Sequence, residues 1–281
     1  MGFRSVAEIV EAVRGGKVHT AHVRKVPSQA STAGHWVDLS MAAGNPPPNY
    51  YAAVPLEAVT LDGFRGIFHG DDVGGAKRLI NLALMSTSGN AAGAYWLLDY
   101  LLFYPFADLD DTSPQAMTND VELPRYADGD GVRAMLVCLA PTVGGGSFTY
   151  DYVNQDGAAR TSPVIACNTT AANIATIVTS QQAVSGAGSL FLPMQSGDTG
   201  IRRITGITMI APAGGLAAIV LVRPLAEMTV REINVPEERS LVHERTALPE
   251  ILDGAYLGLA VNCAGTVAGI GIVGRFTFAW D

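Results

Sequence analysis

The residues best suited to chemistry in this chain are carboxylates set close together. Asp108, Asp110 and Asp111 follow a long apolar run, and Asp128-Gly129-Asp130-Gly131 comes soon after. Hard cations such as Ca²⁺ take oxygen ligands of this kind. Neither group completes an EF-hand loop, which needs further ligands and a Glu at its twelfth position. Turn acids that bond their own backbone account for both. His19 and His22 stand three apart, a chelating distance on a helix, but Val18–Val26 reads as extended and sends them to opposite faces. His35, His69 and His243 stand alone, and no nearby Cys or carboxylate completes a ligand set. Gly269-Ile270-Gly271-Ile272-Val273-Gly274 matches GxGxxG. A dinucleotide site needs a helix after that motif and an acid about 20 residues on. Neither follows, so the glycines predict a strand that another backbone approaches closely. There is no GxSxG elbow and no GxxxxGK[ST] loop. The pattern therefore selects no catalytic, cofactor-binding or metal-ligating residue, and the chain reads as non-enzymatic with no cofactor.

Cys138, Cys167 and Cys263 are widely spaced in apolar, strand-like runs. An odd count without CxxC spacing predicts buried free thiols in a reducing cytoplasm, not a disulfide framework or a zinc site. The first residues, MGFRSVAEIVEAVRGG, hold no apolar core of signal-peptide length. Asn168-Thr169-Thr170 is a formal glycosylation sequon that carries little weight without a secretion signal.

The elements that must position these groups are mostly strands. Ser5-Val6-Ala7-Glu8 is a capping box, and Val6, Ile9, Val10 and Val13 share a helical face that Gly15-Gly16 ends. Lys17–Tyr51 reads as an extended arm, with Asn45-Pro46-Pro47-Pro48-Asn49 unable to join a sheet interior. Leu79–Met85 predicts a strand. Gly93–Asp111 is the longest apolar run. A membrane span needs about 20 such residues; this run is shorter, contains Asp99, and meets Pro105 near its end. Leu97, Leu98, Leu101 and Leu102 predict a buried helix over Ala94–Phe103, apolar on nearly every side. Beyond Pro114, strand-like runs alternate with Gly, Pro, Asn and Asp turns, the pattern of an antiparallel β-sandwich or jelly-roll-like domain. Phe148, Tyr150 and Tyr152 share one strand face, and Ile270, Ile272, Phe276, Phe278 and Trp280 share another. Pro212-Ala213-Gly214-Gly215 predicts a hairpin between two nearly continuous apolar strands. The expected organisation is a helix, an arm and a buried helix over residues 1–114, then a sandwich over 115–281.

Composition narrows the role. The chain is 48% hydrophobic but only 16% charged, against about 25% charged for an ordinary soluble domain. A monomer of this size exposes roughly 11,500 Å², so each charge would serve roughly 260 Å² of surface. So sparse a cover predicts surface buried against neighbouring subunits. A net charge of −8 without a Lys/Arg block excludes a nucleic-acid-binding footprint and disfavours an anionic membrane. Aromatic anchors dominate interface energies, which makes Trp96, Tyr100, Phe103, Tyr104 and Phe106 the candidate contact residues; a core role fits the same block.

Five blocks resemble structural proteins from the particles of tailed double-stranded DNA bacteriophages. They are LLDYLLFYPFADLDD (97–111), LPRYADGDGVRAMLV (123–137), YDYVNQDGAARTSP (150–163), SGDTGIRRITGITMIAPAGGLAAIVLVRPL (196–225) and DGAYLGLAV (253–261). The resemblance covers about the last two thirds of the chain and carries no site residue. It implies a virion component made in the bacterial host cytoplasm, foremost a capsid decoration (cement) or minor head protein, with a tail or head–tail connector component as the alternative. The implied partners are further copies of the chain and other virion proteins such as the major capsid protein. From the residues alone, a carbohydrate-binding or hydrolytic β-sandwich with Ca²⁺ at Asp108, Asp110 and Asp111 stays open.

Overall fold

The computed structural model describes residues 3, 5–74, 77–180, 189–244 and 247–281. A helix α1 (Val6–Arg14) precedes the strands β1 (Val18–Val26), β2 (Trp36–Asp38), β3 (Ala43–Asn45), β4 (Val59–Thr60), β5 (Lys77–Ser86), β6 (Gly93–Asp108), β7 (Gln115–Ala116), β8 (Arg133–Ala140), β9 (Ser147–Asn154), β10 (Ala159–Thr161), β11 (Ile165–Ala166), β12 (Ile201–Ala211), β13 (Leu216–Val230), β14 (Glu237–Ser240), β15 (Glu250–Ile251), β16 (Tyr256–Asn262) and β17 (Ile272–Trp280). The fold is mainly antiparallel β, as the turn spacing predicts.

The strands form three sheets. A central sheet runs β2-β16-β6-β13-β8, with β4 also on β6. A first outer sheet runs β14-β5-β17-β1-β3, with β15 on β5; a second runs β10-β9-β12-β7, with β11 on β9. Alternation along β13 shows how they stack. Ala218, Val220 and Val222 point into one core, with Leu82 and Phe276 of the first outer sheet. Ala217, Ile219 and Leu221 point into the other, with Phe148, Tyr150 and Ile207 of the second. The central sheet is thus apolar on both faces because both are covered.

That covering corrects the helix expected over Ala94–Phe103, which is the middle of β6, a 16-residue strand paired to β13 and β16. A strand buried on both faces shows no apolar–polar alternation, and its length then imitates a helix. The ladder shifts register between Ala217 and Ile219, opposite Pro105 and Phe106, where Phe106 takes φ of 58°. A bulge is where a proline can sit inside a sheet.

The arm expected over Lys17–Tyr51 is also corrected. Its first part is β1, paired along its length with β17, and it contributes β2 and β3 as well. Strands from both sides of residue 114 share the central and first outer sheets, so no sheet boundary falls there. Pro212–Gly215 does not close a hairpin, because β12 lies in the second outer sheet and β13 in the central one. The turn carries the chain between layers. Gly215 has φ of 78°, and a Cβ there would lie 2.4 Å from the Ala140 carbonyl oxygen.

The helix forms as the capping box predicts, with the Glu8 N–H donating to Ser5 Oγ at 3.3 Å. Its apolar face divides: Ile9 and Ala12 are buried, while Val6, Val10 and Val13 remain exposed. Residues 175–178 lie between the two edges of the central sheet. Asp38 N donates to Ala175 O and Ile177 N to Trp36 O on the β2 side; Cys138 N donates to Thr176 O and Val178 N to Leu136 O on the β8 side. Both edges are thereby covered, which removes a template for uncontrolled strand addition.

Candidate functional site

The aromatic block on β6 is largely spent inside the chain. Tyr100 and Tyr104 have no accessible surface and Phe103 is buried, whereas Trp96 and Phe106 are half-buried. Phe103 packs against Tyr51 at 5.2 Å between centroids, and Trp96 meets Phe191 edge-on at 5.8 Å. Tyr104 OH donates to Asn119 Oδ1 at 2.7 Å and accepts from Ile204 N at 3.1 Å, tying the central sheet to the second outer sheet. Of the five candidate contact residues, Trp96 and Phe106 keep substantial surface.

Three groups of buried ionisable residues mark where polar chemistry is concentrated. In the first, Asp38 at the end of β2 has no accessible surface. Its Oδ1 accepts from Tyr100 OH at 2.7 Å and Ser40 N at 2.8 Å; its Oδ2 accepts from Tyr51 OH at 2.6 Å and Ser40 Oγ at 2.8 Å. Burial pushes the carboxyl upward, and these four hydrogen bonds pull it back. Burial likewise raises both tyrosines, with the nearby carboxylate adding to it, so neither ionises at neutral pH. Lys25 shares the inward face of β1 with Ala21 and Val23 and donates to Ala42 O and Pro46 O. It thus holds the start of the Pro46–Pro48 segment, and burial lowers its ammonium to about 8.

In the second group, Arg125 reaches Asp99 on β6 through Nε at 3.0 Å and Nη2 at 2.8 Å. It also donates to Gly254 O, Leu61 O and Tyr100 O, while Tyr256 N completes the carboxylate. A guanidinium fork suits such bidentate pairing. In the third, Lys77 on β5 is fully buried and donates to His69 Nδ1 at 2.8 Å, Gly70 O at 3.2 Å and Asp71 O at 2.9 Å, with Asp253 at 3.6 Å. A pocket of about 250 Å³ lies alongside, lined by Phe68, His69, Gly70, Asp71, Asp72 and Gly254. Each ion here is met by main-chain carbonyls, amides or a counter-charge within the chain. These groups pin loops to sheets.

The remaining candidates fall into structural roles. Asp108 and Asp111 accept from the backbone amides of Asp110 and Ser113, each at 2.8 Å, and Asp128 accepts from Asp130 N at 3.2 Å. They are turn acids, and among the described residues no group of three or more metal-ligating side chains gathers. His19 faces inward on β1 against Phe68, and His22 faces outward, as alternation predicts. All three cysteines are buried free thiols. The run Gly269–Gly274 leads into β17: Gly269 takes a φ of 73°, whereas a Cβ on Gly271 would come within 3.2 Å of Thr87 and one on Gly274 within 2.8 Å of Leu84, so these two serve close packing. Among the described residues no helix is long and apolar enough to cross a membrane.

Asp38, Lys77 and Arg125 were not singled out by sequence patterning, and His69 was read as standing alone. The available signal was a charged residue inside an apolar or strand-like run, as with Asp99 in the Gly93–Asp111 block.

No family model matches the chain, and no curated protein matches it. Among solved structures, a particle of infectious bursal disease virus, Gt strain, aligns at a TM-score of 0.19 with 10% identity over 94% of this chain and 80% of that one. The T=1 particle derived from infectious bursal virus gives 0.15 with 10% identity over 94% and 77%. The VP2 subviral particle of infectious bursal disease virus gives 0.16 with 8% identity over 94% and 81%. Likenesses this slight carry no argument about this chain.

Proposed function

We propose that this chain is a structural component of a virus particle of the tailed double-stranded DNA phage type. It acts as a capsid decoration or minor head protein that self-associates and clamps neighbouring subunits such as the major capsid protein. The observation that supports this best is the outward face of the second outer sheet. Val164, just before β11, and Ile210 on β12 stand 61% and 55% exposed. Thr149 and Thr208 lie between them in the cross-strand register. Exposed branched side chains on a sheet face suit burial against another subunit, with Asp151, Arg160 and Arg203 on the same sheet available for polar contacts around them. Trp96 and Phe106 are the further contact residues of this reading. The resemblance of the sequence blocks to phage structural proteins supports the same class. A place in the tail or head–tail connector would differ by the symmetry of the assembly.

Size-exclusion chromatography with light scattering, with negative-stain microscopy of the same peak, tests the reading. A discrete closed oligomer is expected, reduced to monomer by the paired substitutions Val164→Lys and Ile210→Lys. A wild-type chain that stays monomeric at high concentration would sink the claim of self-association.

A further inference from the structure

The His69–Lys77 contact has a chemistry that the assembly reading does not use. Lys77 can only donate, so at 2.8 Å the Nδ1 of His69 must be the acceptor. The proton of the neutral ring then sits on Nε2, which donates to Ala255 O at 3.1 Å. His69 is 4% exposed and Lys77 has no exposed surface. The groups facing the ring are Lys77 from β5, Asp72 from its own loop, Asp253 from the connection before β16, and the uncharged Phe278 of β17 at 6.2 Å. Asp253 is engaged elsewhere, accepting from Val73 N and Gly74 N, and Asp72 accepts from Gly254 N. A second proton on His69 would set an N–H against the Lys77 ammonium, and Asp253, 3.6 Å from that ammonium, and Asp72 offset this only in part. Burial first, and then the Lys77 charge, hold the ring's affinity for that proton down to about 4.

The loop carrying His69 is held through its middle by His69 and Lys77 and at its ends by other groups. It bridges to β16 through Ile67 N to Leu257 O, and it presents Phe68 52% exposed. Besides His69 itself, the Lys77 bonds to Gly70 O and Asp71 O hold its middle in place, and bonds from Val73 N and Gly74 N to Asp253 and from Gly254 N to Asp72 fasten its far end. We propose that protonation of His69 releases residues 67–71 of this loop from β5 and β16 and opens the adjoining pocket, making this corner an acid-triggered latch. The sign follows from linkage: the opened loop binds the proton at the ordinary imidazole value, near 6.5, and the closed loop only near 4. Opening is therefore favoured as pH falls through that interval, by about 25-fold at pH 5 relative to pH 7.5.

Hydrogen–deuterium exchange read by mass spectrometry on the full chain, corrected for intrinsic exchange rates, tests this near pH 7.5 and near pH 5. Peptides spanning residues 67–71 should lose protection by roughly that factor, while β13 and β17 keep theirs. His69→Gln, whose amide can accept from Lys77 and donate to Ala255 O without titrating, should abolish the difference. Equal acid responses in both proteins, or no local response in the wild type, overturn the proposal. Should the variant fail to fold, the wild-type imidazole resonance of His69 decides: a midpoint coinciding with loop exchange upholds the latch, and an ordinary midpoint without loop exchange overturns it.

Discussion

The two cores on either face of the central sheet handle charge differently. The first, between the central sheet and the β5–β17–β1 layer, takes Lys25, Asp38 and Lys77 at inward positions with 3% or less of their surface exposed. The second, under β9 and β12, is lined by Leu, Ile, Val, Phe, Met, Tyr and Ala, with Cys138 and Cys167, and a buried ion pair, Asp99 with Arg125, sits at the end of the Ile219–Leu221 face, opposite Arg223. Its polar fastening lies at its rim, where Tyr152 OH donates to Asp198 Oδ2 at 2.5 Å and Asn154 Nδ2 to Asp198 Oδ1 at 2.7 Å. A fully satisfied buried polar network fixes one arrangement, and loses it abruptly when a member goes missing. An apolar core instead depends on volume and tolerates change in proportion to the space left behind.

The largest effect should come from breaking the network of the first core. Asp38→Ala leaves the Tyr51, Tyr100 and Ser40 hydroxyls without their acceptor and should cost about 4 kcal/mol by denaturant unfolding. A cost under about 1 kcal/mol would show that the network relaxes like an ordinary core. In the second core, Ile219→Ala should cost about 3 kcal/mol, with the loss set by the remaining cavity. The pH dependence sharpens the contrast further, with smaller effects. The carboxyl of Asp38 is raised by burial, so its contribution to stability is present below the ordinary carboxylate value and is lost as pH rises through the raised one. Asp198 has the opposite sense. Burial works to raise it, but hydrogen bonds from Tyr152 and Asn154 and the charge of Arg160 outweigh this and lower it, so its contribution is present above the ordinary value and lost as pH falls below it. Asp38→Asn should remove the first slope and Asp198→Asn the second. Unfolding curves of both variants, taken both below and above the ordinary carboxylate value, would check this, and identical slopes in the two would erase the distinction between the cores.

The legibility of the sequence follows the same line. β9 alternates because one face meets a core and the other does not, so Phe148, Tyr150 and Tyr152 could be assigned to one face. The inward face of β17, with Ile272, Phe276 and Phe278, was readable for the same reason. β6 was not, because sheets on both sides erase alternation; its six aromatics were the clue that favoured a strand. The crossing at Pro212–Gly215 looked like a hairpin because turn residues specify a reversal of direction, not which sheet receives the next strand. The segment 175–178 that covers both edges of the central sheet is too short to carry a periodic signal. Lys25 and Lys77 were missed as buried groups because their partners are main-chain carbonyls and a histidine brought together by the fold, which no spacing encodes.

The pairing of β1 with β17, Val18 against Ala279, has a consequence for synthesis on the ribosome. At roughly 5–20 residues per second, β1 emerges tens of seconds before the strand that completes it. During that interval its backbone edge is open to any other nascent chain. The first outer sheet can close only late in translation, whereas β9, β10 and β12 can meet sooner. The nascent chain would thus be vulnerable first at its N-terminal strand, and a chaperone that shields that strand would be expected to raise the yield of folded protein.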